Sequence, residues 1–128
     1  MTLVEIVIVC VILGVLLRLG SVMYSKTHEK ARASEARSLL GFIRTAEENY
    51  KLDKDIYTGN LADLEVEVPI DCNVDTTHFF SYSLASPTTS TFTATATRCT
   101  SGGKAPSRQP AYVVTMDQDG NLVVPEGY

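Results

Sequence analysis

The sequence predicts an α+β chain: one long N-terminal helix with a protruding apolar half, its second half packed on a small antiparallel sheet. Three observations carry that prediction. Residues 1–24 are an almost unbroken apolar run. The run passes, with no proline, into a stretch of three-to-four apolar spacing that lasts to about Leu52. Beyond residue 79, apolar residues alternate with Ser and Thr. The chain therefore divides into an apolar helix segment at 1–24, its amphipathic continuation at 25–53, and a globular head at 54–128.

The apolar segment is interrupted early by a carboxylate, Glu5. A charge in lipid is costly, on the order of a few kcal/mol, and calls for a partner. Arg18 is the first basic residue of the segment and lies roughly 20 Å away along a helix rising 1.5 Å per residue. That is too far to pair within one chain, so the sequence predicts that another molecule supplies the partner of Glu5. Arg18 has two readings: its guanidinium snorkels to a membrane interface, or it bonds a neighbour's Glu5 or helix carbonyls. The uninterrupted apolar stretch between Glu5 and Arg18 is only about 18 Å, whereas extending it to Met23 gives enough length for the ~30 Å hydrocarbon core. Cys10, within the run, reads as a small buried hydrophobe.

From Tyr24 the helix continues. Ala33, Ala36, Leu39 or Leu40, Ile43, Ala46 or Glu47, and Tyr50 mark one buried stripe. Arg32, Glu35, Arg37, Arg44, Glu47, Glu48 and Lys51 are expected to be solvated or paired across turns. A helix of about 50 residues runs roughly 75 Å. A 14.0 kDa chain cannot enclose it, so the apolar half must project. The aromatic residues Tyr24, Phe42, Tyr50 and Tyr57 are expected to pack on the sheet rather than form a conduit.

After the helix, the polar exit from Lys51 to Gly59 leads to Asn60, which can cap a short helix through Leu61 to Leu64. Pro69 closes this connector. Phe80, Tyr82 and Leu84 alternate with Ser81 and Ser83, and Phe92, Ala94 and Ala96 alternate with threonines. Both read as half-buried antiparallel strands joined near Ser86–Pro87. Ala111–Met116 and Leu122–Val124 form a second hairpin over the turn Asp117–Asn121. The Gly/Pro/Ser-rich segment Thr100–Pro110 is expected to be an exposed loop.

Charge is uneven. Residues 1–60 hold eight Lys/Arg against seven Asp/Glu, and residues 61–128 hold three against eight. An acidic head argues against direct nucleic-acid binding. No nucleotide loop, zinc spacing or haem-attachment motif is present, and His28 and His78 sit in no catalytic or ligand spacing. No catalytic residue is assigned, and an enzyme is not expected. The serines and threonines from Ser81 to Ser101 read as the solvent face of strands or as sites of O-glycosylation.

The Met1-Thr2-Leu3-Val4-Glu5 start, followed by a long apolar run with Gly14 inside it, resembles the N-terminus of the type IV pilin superfamily. That superfamily includes the pseudopilins of type II secretion. The resemblance implies the pilin fold, removal of a basic leader, methylation of the amino group of Met1, and pairing of Glu5 with the N-terminal amine of a neighbouring subunit. The assembly residues so implied are Met1, Leu3, Glu5 and Gly14; Arg18, unusual within such a run, joins them on the second of its two readings. Without a removed leader, the basic residues following the segment would place the body of the protein in the cytoplasm. Two departures stand out: many pilins carry proline at the position of Val22, and the usual proline after the connector tyrosine is here Thr58. An exported head also sits in an oxidising space. A Cys72–Cys99 disulfide is then expected, with two unpaired thiols as the alternative, and its loop would contribute about 3 kcal/mol. Some pseudopilins bind calcium near their last strands. Asp117, Asp119 and Asn121 are therefore either weak calcium ligands or a turn chosen for its Asp–Gly backbone; no other metal or cofactor is expected.

By resemblance, the function is structural: a subunit that waits in inner-membrane lipid and assembles with itself into a helical extracellular filament. The implied partners are a prepilin peptidase, an assembly ATPase and an inner-membrane platform. A periplasmic pseudopilus of type II secretion is the nearest alternative. A single-pass, membrane-anchored binding module, with Glu5 paired inside a receptor complex, is the reading from a different class.

Overall fold

The computed structural model describes residues 2–73, 77–85, 87–106 and 110–126, and in the helix the side chain of Val22 is not described. Met1 and Ser86 lie outside the described residues. The chain has an α+β layout: one long helix and one small antiparallel sheet.

Helix α1 spans Leu3–Lys54, 52 residues and roughly 78 Å. Its start is set by Thr2, whose side chain accepts from the Glu5 N–H while the Thr2 N–H donates to the Glu5 carboxylate. Two of the amides that a helix N-terminus leaves open are thereby satisfied. The other end closes on Asp55, in left-handed backbone at φ 62°, whose N–H returns to the Lys51 carbonyl at 2.8 Å. The helix therefore runs two residues beyond Leu52.

A single 3-10 turn, Leu61–Leu64, is capped by the Asn60 side chain, which accepts from the Ala62 N–H. The sheet follows as a meander of β1 (Phe80–Ala85), β2 (Thr93–Arg98), β3 (Val113–Asp117) and β4 (Leu122–Val123), each antiparallel to the next. Register alternates the faces. Tyr82, Ala96 and Val114 lie in one cross-strand row and Leu84, Ala94, Met116 and Leu122 in another, turned toward α1. Ser83, Thr95 and Thr115 form an outward row. The alternating strands are thus explained by one buried and one solvated face.

Ala33, Ala36, Leu40 and Ile43 on α1 are fully buried against Phe80, Tyr82, Phe92, Ala94, Ala96 and Val114. The alanines on both surfaces let helix and sheet approach closely. The large side chains between them supply about 1.5–3 kcal/mol each on burial. Tyr57 and Phe92 stack with ring centroids 4.8 Å apart, and Leu61 and Leu64 fold the connector onto the same core.

Several expectations need correction. Phe92 and Tyr112 are core residues just outside their strands, and β3 and β4 are shorter than the alternation suggested. Glu47 is fully buried rather than solvated, because it follows Ile43 by one helical turn on the packed side. The loop after Cys99 is not wholly exposed. Lys104 is buried there, its ammonium donating to the Asn73 carbonyl at 2.7 Å. Tyr24 and Phe42 point to solvent; only Tyr57, and partly Tyr50, join the core.

Candidate assembly site

The N-terminal half of α1 holds the chain's largest unpartnered apolar surface. Leu3, Val4, Ile6 to Val9, Val11 to Leu13, Val15 to Leu17 and Leu19 are all at least half exposed, with Leu3 at 79% and Leu17 at 75%. This window is long and apolar enough to cross a membrane, and none of it is buried. Leu3 to Met23 spans roughly 31 Å, matching the ~30 Å hydrocarbon core. Cys10 is free and exposed with its neighbours, not buried as read from sequence, because among the described residues nothing covers this side of the molecule.

Leu3, Glu5, Gly14 and Arg18 all project with this half, and among the described residues no other element approaches them. A Cβ added at Gly14 or at Gly20 would meet nothing within 4 Å. Glu5 itself is not without a partner inside the chain. One of its carboxylate oxygens accepts from the Thr2 N–H at 3.4 Å and closes the capping box. The expectation of a partner from another molecule concerns a charge partner; a hydrogen-bond partner is local. The Thr-x-x-Glu spacing is the signal for it. Met1, the expected processing residue, lies outside the described residues.

Where the helix enters the head, a compact cluster fixes it. Arg98 is fully buried at the end of β2, and its Nε donates to Glu29 Oε1 at 2.7 Å. Its Nη1 also donates to the carbonyls of Phe79 and Cys99. Arg32 pairs with the other oxygen of Glu29 and lies over the Phe79 ring at 4.2 Å. Cys99, next to Arg98, is joined to Cys72 in a disulfide. Ser101 donates to the Cys72 carbonyl. Glu29 and Arg98 are 69 residues apart, so no local spacing announces their pairing.

At the other end of the head, Glu47 accepts from the Thr58 N–H through Oε2 at 3.0 Å, while Oε1 is buried with no hydrogen-bond partner among the described residues. Burial pushes this carboxyl above the usual carboxylate range. The Thr58 bond opposes that shift and the nearby Glu48 charge adds to it. A proline at 58 would leave Glu47 without this donor.

The β3–β4 turn is built by Asp117. Its carboxylate accepts from the Asn121 side chain at 2.8 Å, the Asn121 N–H at 2.9 Å and the Asp119 N–H at 3.0 Å. These bonds, the Asn121 side chain foremost, hold its carboxyl below the usual range. Gly120, at φ 83°, makes the turn, and Arg44 ties it to α1 through the Gln118 carbonyl at 2.9 Å. The carboxylate of Asp117 thus faces donors from its own loop, the arrangement that a structural turn requires. Among the described residues no three His, Cys, Asp or Glu side chains cluster as a metal site.

No protein-family model, curated protein or solved structure matches this chain.

Proposed function

We propose that the chain is a structural subunit of a type IV pilus-like filament, with the pilin fold, held in the inner membrane before assembly into an extracellular helical homopolymer. The observation that carries this reading is the single helix whose head-packed half continues into an uncovered apolar half, with Glu5 one turn from its start. Lipid and neighbouring helices are the two surroundings that can cover it. In the filament, the apolar halves exchange lipid for one another, and Glu5, left unpaired in a misaligned packing, sets the register through the N-terminal amine of a neighbour. The Cys72–Cys99 disulfide supports export to an oxidising compartment.

N-terminal and intact mass spectrometry on material sheared from intact cells tests the reading. An abundant chain with methylated Met1 is the expected result. Methylated chain confined to the envelope would move the protein to a secretion pseudopilus. An unmethylated chain with a retained leader would overturn the assembly role.

The local capping bond favours a second reading, in which Glu5 serves the helix start of a monomeric, membrane-anchored binding module. The two readings separate in one comparison. Removing the cap by Thr2→Ala costs about 0.5–2 kcal/mol of helix stability. If Glu5 sets register, Glu5→Ala abolishes filaments while Thr2→Ala leaves them; equal effects would sink the register role.

A further inference from the structure

Two charged surfaces on α1 have opposite sign and lie on nearly opposite sides of the helix. Lys26, Lys30 and Arg37 are exposed. At 3.6 residues per turn they fall within about 40° of one another, forming one basic stripe. Near the other end of α1, Asp53, Asp63 and Glu65 line a groove of about 380 Å³ together with Tyr50, Leu64 and Lys54, so that its three carboxylates outnumber one ammonium. Asp63 is held by Thr58 and Asn60. Among the described residues, neither Asp53 nor Glu65 nor any of the three basic residues forms an ion pair; those present join Glu29 to Arg32 and Arg98, and Glu35 to His78. Asp53 sits roughly 160° round the helix from the basic stripe, and roughly 25–40 Å further along it.

Resting on the filament reading, we propose that the Lys26–Lys30–Arg37 stripe of one copy docks in the Asp53–Asp63–Glu65 groove of a second copy, offset by that distance along the filament axis. Charge complementarity names the occupant, since the chain carries both halves of the contact. An unstaggered pair sets lysine beside lysine and aspartate beside aspartate, which is repulsive. A staggered pair sets opposite charges together. Because the two surfaces lie on different sides, the contact is heterologous: each copy uses one face below and the other above, the geometry that propagates an open helical chain rather than a closed dimer. The two copies in contact need not be consecutive; others at smaller offsets overlap their apolar halves between them.

Charge reversal in the full chain, expressed in its own host, tests the contact. Lys30→Glu with Arg37→Glu, and separately Asp53→Arg with Glu65→Arg, should each lower sheared filament on the order of tenfold or more. The four substitutions together should restore it to within roughly threefold of the parent. Melting of each detergent-solubilised variant, expected to match the parent because all four sites are exposed, shows that the heads fold. Parent-level filament from both pairs alone, or no recovery in the combination, overturns the docking contact and leaves the filament reading standing. A parent chain that forms no filament overturns both.

Discussion

The two halves of α1 share one backbone and differ in what surrounds them. From Leu3 to His28 no described side chain is buried; from Glu29 to Lys54 six positions are, each about one turn from the last. Between Glu5 and Arg18 the first half is apolar all round, the pattern of a helix that crosses lipid or packs among other helices. The second half is polar except along one stripe, the pattern of a helix meant for one sheet. Helix formation is therefore common to both, while among the described residues only the second half gains stability from packing within the chain.

The largest break in that contrast should come from Arg98→Ala. It leaves buried Glu29 with only the partly exposed Arg32 as a cation, and head stability should fall by up to about 3–5 kcal/mol, read by chemical unfolding in detergent. Leu40→Ala and Leu13→Ala make a matched pair. The first deletes a fully buried side chain and should cost about 2–5 kcal/mol. The second, in the projecting half, should change unfolding of the solubilised monomer by no more than about 0.5 kcal/mol. Equal effects would mean that the two halves are packed alike. Reduction of Cys72–Cys99, monitored by the shift of the unfolding midpoint, should cost about 3 kcal/mol for its 27-residue separation.

The smallest effect concerns Glu47, whose carboxyl is raised in the fold. The native state then binds the proton more tightly than the unfolded chain. The stabilisation it gives is complete below the ordinary value of 4.5 and is lost as pH rises through the folded-state value. Glu47→Gln should flatten that part of the pH profile; a profile unchanged by the substitution would show that Glu47 is ionised in the fold.

Much of this architecture was legible in the residues. The proline-free helix, the Asn60 cap and the alternating strands follow local rules, and local rules are what a sequence displays. Glu29, Arg98 and Lys104 were not legible, because a charged side chain becomes buried only when a distant partner arrives. Glu47 was ambiguous: its spacing matched the stripe while its charge argued for solvent, and spacing prevailed. At Glu5 the Thr-x-x-Glu signature was present, yet the weight given to a charge in lipid concealed a hydrogen bond three residues away. No sequence pattern reported the side of the helix on which each charge stands relative to the sheet, which is why the opposed basic and acidic surfaces emerge only from the fold.

The cluster joining Glu29, Arg98 and the neighbouring disulfide has a mechanical consequence. Tension applied along the apolar half travels up a continuous helix and reaches the head first at its near edge, through an ion pair backed by a covalent crosslink. The connector and the far turns of the head lie beyond that point. The outward-facing side chains of the strands stand apart from it, so substitutions among Ser83, Thr95 and Thr115 leave the bonds of that seam in place.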